Sequence, residues 1–213
     1  MIKVHKFVFN AFQENTYLVY DDTGECLIID PGCQEPYEEQ QLSSFIESQK
    51  LKLVGHLYTH GHIDHILGNA WVYNTYGLKP VMHKGSLQFF MNAGDHGKMF
   101  GIEIEEIIKP VDFLEDGDHV RFGGSRLEVL HTPGHVDGHL CFANHEAQFV
   151  ITGDVLFKDS IGRTDLPTGD FDLLSNSIRN KLYTLDTDYV AYPGHGPETT
   201  IGHEMLYNPF VKP

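Results

Sequence analysis

Cysteine is scarce in this sequence. Cys26, Cys33 and Cys141 are odd in number, widely spaced and never arranged as Cys-x-x-Cys. That excludes a disulfide framework and argues against a thiolate-built structural zinc site. Long apolar runs are missing too. No stretch approaches the roughly 20 residues of a membrane span, so no membrane association is expected. The opening Met1-Ile2-Lys3-Val4-His5-Lys6-Phe7 lacks the apolar region and cleavage site of a secretory signal. A cytoplasmic, reducing location is therefore expected. Positive charge is also short: 15 Lys and Arg stand against 30 Asp and Glu, a formal net charge of −15. Such a surface repels phosphate backbones, and no Lys/Arg run offsets it, so nucleic acid is not an expected partner.

What is present suits one sizeable core. With 213 residues and 41% hydrophobic content, a single domain over 1–213 is expected. Apolar alternation and turn signals predict strands over 2–9, 17–20, 26–29, 53–58, 81–83, 111–114, 119–122, 127–131, 139–143, 149–152 and 189–192. Near-helical spacing predicts helices over 36–49, 68–76, 84–91, 170–183 and 199–207. The glycine-rich stretch 92–101 reads as a connector or flap. Strands, helices, strands and helices in this order suit two sheets packed face to face with helices outside.

Histidine is where the chemistry lies. Thr59-His60-Gly61-His62-Ile63-Asp64-His65 follows an apolar strand. His135 ends His-Thr-Pro-Gly-His, Asp154 ends Thr-Gly-Asp, and His195 lies in Pro-Gly-His-Gly. These seven donors each follow a strand-like run beside a glycine. They suffice for two divalent ions with positions left for water and substrate. Every donor is nitrogen or oxygen, which suits zinc and also iron or manganese. Two such ions, two aspartates and one hydroxide carry a net charge of about +1, so the centre stays electrophilic. Metal binding brings the pKa of water from about 15.7 to around 7, and no serine or cysteine nucleophile is then needed. His56, His83, His96, His119, His131, His139, His145 and His203 read as background imidazoles. Asp30, in Ile29-Asp30-Pro31-Gly32, is either a support for the ligand loops or a turn residue.

His60-Gly61-His62-Ile63-Asp64-His65 with His135, Asp154 and His195 resembles the metallo-β-lactamase-fold superfamily. Within it, His131-Thr132-Pro133-Gly134-His135 and Pro193-Gly194-His195-Gly196 are similar to the compact bacterial glyoxalase II (hydroxyacylglutathione hydrolase) branch. The resemblance implies an α+β fold, a four-layer αβ/βα sandwich with the metals at one edge. It implies that His60, His62 and His135 bind one ion, that Asp64, His65 and His195 bind the other, and that Asp154 bridges. Asp64 and Asp154 are the candidate catalytic carboxylates. The implied reaction is hydrolysis of a small-molecule thioester, S-D-lactoylglutathione, to glutathione and D-lactate. Arg163 matches the basic position that the family sets against substrate, and it suits a carboxylate.

Gly162-Arg163-Thr164-Asp165 also resembles the persulfide dioxygenases of the same superfamily. Those hold one iron, and the matching residues are His60, His135 and Asp154. Retention of His195 favours two metals. Lactone or ester hydrolysis is a further alternative. β-Lactam hydrolysis, a nuclease and a structural metal module fit less well.

Overall fold

The computed structural model describes residues 1–104 and 106–213. Its strands form two six-stranded sheets and a two-stranded hairpin. The first sheet opens with β1 (Lys3–Phe9), β2 (Glu14–Tyr20) and β3 (Glu25–Ile29), paired antiparallel in turn. Helix α1 (Pro36–Ser48) crosses over, and β4 (Lys52–Leu57) returns parallel to β3. Pro36 in the first turn and reciprocal hydrogen bonds between Glu35 and Glu38 fix where α1 begins. Helix α2 (Asn69–Tyr76) stops at Gly77, whose φ of 73° is left-handed. Strand β5 (Val81–Met82), helices α3 (Leu87–Met91) and α4 (Ala93–Met99), and strand β6 (Asp112–Phe113) follow, with β5 and β6 extending the sheet.

The second sheet is an antiparallel meander of β7 (His119–Phe122), β8 (Ser125–His131), β9 (Leu140–Asn144) and β10 (Phe149–Gly153). A small hairpin, β11 (Leu156–Phe157) and β12 (Ser160–Ile161), comes next. Helix α5 (Phe171–Ser177) is capped by Asp170, whose side chain accepts from the Leu173 N–H. Strand β13 (Val190–Pro193) then lies parallel to β10, and β14 (Thr199–Thr200) and α6 (Ile201–Tyr207) close the fold.

Three apolar interfaces bind the layers. Leu42, Ile46 and Val72 from α1 and α2 pack on Leu18, Cys26 and Ile28 of the first sheet. Tyr17, Leu27 and Ile29 meet Leu127, Val129, Phe142 and Ile151 between the sheets. Leu174, Ile178 and Leu182 cover Cys141, Ala143 and Val150 on the outer face of the second sheet. Each of these large side chains contributes about 1.5–3 kcal/mol by leaving water. The order is helices, sheet, sheet, helices, as expected of the four-layer sandwich. No helix among the described residues is long and apolar enough to cross a membrane.

Some elements depart from the sequence reading. The stretch 92–101, expected as a glycine-rich connector or flap, contains helix α4. Its Gly97 allows close packing rather than a turn: a Cβ there would lie 2.7 Å from the Ile102 carbonyl oxygen. The helix expected over 170–183 is split, with α5 giving way to a π-helical turn at Ile178–Leu182. Strand β2 begins at Glu14 rather than at 17, because Glu14, Asn15 and Thr16 are polar yet buried and bonded within the fold.

Candidate metal centre

Four strands of the two sheets end at one edge of the sandwich, and the seven sequence-predicted donors sit just beyond them. His60 and His62 follow β4, and Asp64 and His65 lie in the one-turn helix Ile63–His65. His135 follows β8, Asp154 follows β10, and His195 follows β13. Loops leaving adjacent or facing strand ends converge there.

The structure brings all seven together. His62 Nδ1 lies 3.0 Å from His60 Nε2 and 3.0 Å from His135 Nε2. His195 Nε2 lies 3.1 Å from Asp64 Oδ2, and His65 Nε2 lies 3.6 Å from the same oxygen. The donor atoms of each triad all fall within 4.8 Å of one another. Asp154 faces both triads. Its Oδ1 is 3.5 Å from His65 Nε2, and its Oδ2 is 3.7 Å from His135 Nε2 and 3.6 Å from His195 Nε2.

Hydrogen bonds behind the rings decide which nitrogen faces inward. His135 Nδ1–H donates to the Arg163 carbonyl at 2.8 Å. His65 Nδ1–H donates to Asp30 Oδ2 at 3.1 Å, and His195 Nδ1–H to the Phe12 carbonyl at 3.2 Å. His60 Nδ1 meets Thr59 Oγ1 at 3.0 Å, and that hydroxyl donates to Asp30 Oδ2 at 2.6 Å. Each back-bonded Nδ1 turns Nε2 toward the centre.

Asp30 is therefore a support and not merely a turn residue. It takes the Thr59 N–H at 2.7 Å as well, while its own φ of 51° is the left-handed region that Asp tolerates. His139 needs correction. It reads as background in the sequence, yet it is fully buried, stacks 5.0 Å from His60 and accepts the Asp154 N–H at 3.0 Å through Nε2. No spacing rule exposes it, because its partner lies on a later strand. Glu14 also escaped the sequence reading. It is fully buried 4.0 Å from His65 Nδ1.

Arg163 stands close by, but its side chain is engaged. Its guanidinium makes two bonds of 2.7 Å to Asp165, while its carbonyl holds His135. Contact with a substrate carboxylate requires that pair to open. Gly194 is needed for space: a Cβ there would run into Asp154 Oδ1 and stand 2.8 Å from His65 Cε1.

Electrostatics divide the site. Burial, reinforced by neighbouring imidazoles, holds His60 well below the ordinary histidine value and His62 at about 3. Burial lowers His135 and His139 as well. These rings are neutral bases, the form that ligates metal. Burial opposes the charge on Asp154, yet His65, His135 and His195 hold it well below the carboxylate range. Burial likewise opposes the charge on His65, which Asp64 and Asp154 outweigh. The two carboxylates thus draw positive charge to the point where His65 and His195 aim.

The donor set fits a pair of divalent cations on two further grounds. Asp154 Oδ1 and His65 Nε2 are buried with no hydrogen-bond partner among the described residues. An orphaned oxygen and nitrogen facing one space is costly unless a ligand satisfies both. Every donor is imidazole or carboxylate, which suits zinc, iron or manganese.

Comparison with known proteins agrees with the architecture. Residues 9–195 match the metallo-beta-lactamase superfamily. The chain is 38% identical over 203 residues to hydroxyacylglutathione hydrolase GloC of Haemophilus influenzae, covering 94% of each chain. The crystal structure of TTHA1623 in a di-iron-bound form superposes with a TM-score of 0.87 at 35% identity, covering 97% of this chain and all of that one. That of the BLEG-1 B3 metallo-beta-lactamase superposes at 0.86 with 31% identity, covering 99% and 100%.

Proposed function

The chain belongs to the metallo-beta-lactamase superfamily, and we propose that it is a two-metal hydrolase of thioesters, acting on S-D-lactoylglutathione or a related small-molecule thioester. The observation that carries this reading is Asp154, set between a triad of three histidines and a triad of two histidines and an aspartate. His60, His62 and His135 would hold one cation and Asp64, His65 and His195 the other, with Asp154 shared. Two divalent ions there would supply a strongly acidified water and a Lewis acid for the substrate carbonyl. Zinc is the proposed metal, and the di-iron form of TTHA1623 makes iron the first alternative.

The remaining roles belong to the protein. Asp30, Thr59, the Arg163 carbonyl and the Phe12 carbonyl aim the imidazoles. Asp64 and Asp154 keep the centre anionic enough to retain cations. No thiol competes as nucleophile: all three cysteines are buried, and burial pushes the Cys26 and Cys141 thiols up to about 12. A thioester needs no general acid, because a thiol leaving group has a pKa of about 8.5 and departs unprotonated. The identity to GloC supports the same substrate class. The formal charge of −15 disfavours nucleic acid, and unpaired thiols suit the reducing cytoplasm.

The test is metal analysis of the purified protein beside hydrolysis of S-D-lactoylglutathione, of simpler thioesters and of a β-lactam, with oxygen uptake on glutathione persulfide measured in parallel. About two metals per chain with thioester turnover supports the proposal. Oxygen uptake with one iron per chain assigns the dioxygenase reading instead, and β-lactam turnover alone assigns that activity.

A further inference from the structure

Two aromatic side chains meet, one from the turn that holds the second triad and one from just beyond the helices that flank the first. Phe12 lies in the turn between β1 and β2, which is locked to the second triad. The Phe12 and Gln13 carbonyls face His195 Nδ1 at 3.2 and 3.3 Å. Asn10 Nδ2 donates to the Asp64 carbonyl at 3.0 Å, and the Phe12 N–H donates to Asn10 Oδ1 at 2.9 Å. Helices α3 and α4 form the other side and are locked to the first triad. The Phe89 ring stands edge-on to His62 with centroids 5.2 Å apart. A Cβ on Gly61 would come within 2.9 Å of Phe89 Cβ, so the ligand loop and α3 touch directly. Just past the end of α4, Phe100 reaches back, and its ring meets that of Phe12 edge-on at 5.3 Å.

We propose that Phe100, clasped on Phe12, is a specificity-determining residue that selects thioesters with a bulky apolar acyl group. The proposal rests on the hydrolase reading above. Phe100 is 57% exposed and Met99 beside it 78% exposed, apolar surface that the core does not use. Phe157 adds a third ring 6.3 Å from His195. Lys98, two residues before Phe100, is matched with Asp95, and Arg163 is matched with Asp165. Phe12, Phe100 and Met99 thus offer rings and a methyl group, and an acyl group laid on them is read by burial. Losing one such apolar contact is worth about tenfold or more in selectivity.

Acetyl and phenylacetyl thioesters of N-acetylcysteamine share an uncharged leaving group and differ only in the acyl part. Wild type is expected to favour phenylacetyl in kcat/KM. Phe100→Ala, with its metal content checked against wild type, is expected to lower the phenylacetyl-to-acetyl ratio about tenfold, and Phe100→Tyr to retain it. A ratio that Phe100→Ala leaves unchanged, or a wild type that favours acetyl, overturns the clasp while the hydrolase reading stands. A metal-loaded wild type that hydrolyses no thioester overturns both.

Discussion

Asp30 and His65 form a buried pair, Oδ2 to Nδ1 at 3.1 Å, from loops that follow β3 and β4. The same carboxylate holds the Thr59 N–H and hydroxyl, so one side chain orients the whole histidine-rich loop. Asp30→Asn keeps the left-handed backbone accessible but cannot accept all three bonds. Metal affinity is expected to fall about 10–100-fold. Competition with a chromophoric chelator reads this directly, and unchanged affinity would make Asp30 a turn residue only.

Asp154→Ala is expected to abolish binding of the second metal and thioester turnover together. Removing it leaves the His65, His135 and His195 nitrogens facing one another without the carboxylate they share. Plasma emission analysis beside a thiol-release assay checks both. Full metal loading at the wild-type rate would remove the shared role.

Arg163 and Asp165 are exposed, so their pair adds little to stability. It nevertheless ties up a guanidinium suited to carboxylates. Arg163→Ala is expected to raise KM for S-D-lactoylglutathione more than it lowers kcat. Asp165→Ala, which frees the cation, is expected to lower KM severalfold. If neither substitution alters the steady-state constants, the Arg163 side chain belongs to the surface.

Glu14 is expected to be neutral. Burial pushes its carboxyl well up, against the pull of His65 and with help from Asp30. Thr16 Oγ1 accepts the Gly32 N–H and faces both the Asp30 carbonyl and Glu14 Oε2 at 2.8 Å, with one proton to give. A protonated Glu14 lets that proton go to the Asp30 carbonyl. An acid raised above its unfolded value of about 4.3 loses stability as the pH climbs from there toward the folded value. Glu14→Gln should therefore match wild type in Tm near pH 4 and exceed it at pH 8. Parallel Tm profiles across that range would show an ionised Glu14.

Asp21 carries the opposite sign. Burial opposes its charge, but bonds from Thr23, Ser125 and Gly124 hold its pKa down at about 2. Its contribution, about 1 kcal/mol, is present above the unfolded value of about 3.9 and is lost as the pH falls from there through about 2. Asp21→Asn should lower stability to urea at pH 7, and the gap should close below pH 3. A gap independent of pH would count against the carboxylate.

The seven donors are legible because they fall in four clusters, each closing an apolar run and containing a glycine, and strand ends in a sandwich share an edge. The layers followed from the alternation of strand and helix patterns. What stayed hidden depends on partners far along the chain. His139, just before β9, accepts the main-chain N–H of Asp154, just after β10, through its ring Nε2, and Glu14 is buried against Gly32 and His65. Helix α4 stayed hidden because Gly94 and Gly97 read as breakers, whereas Gly97 admits the Ile102 carbonyl. Arg163 is legible from its motif, but its pairing with Asp165, two residues on, is a matter of side-chain conformation that the sequence does not display.

The bond between His195 and Phe12 joins positions 183 residues apart. A ribosome releases the Phe12 turn and the histidine-rich loop long before His195 exists. Six of the seven donors therefore emerge before His195, and the second triad is completed only once the loop after β13 has been made.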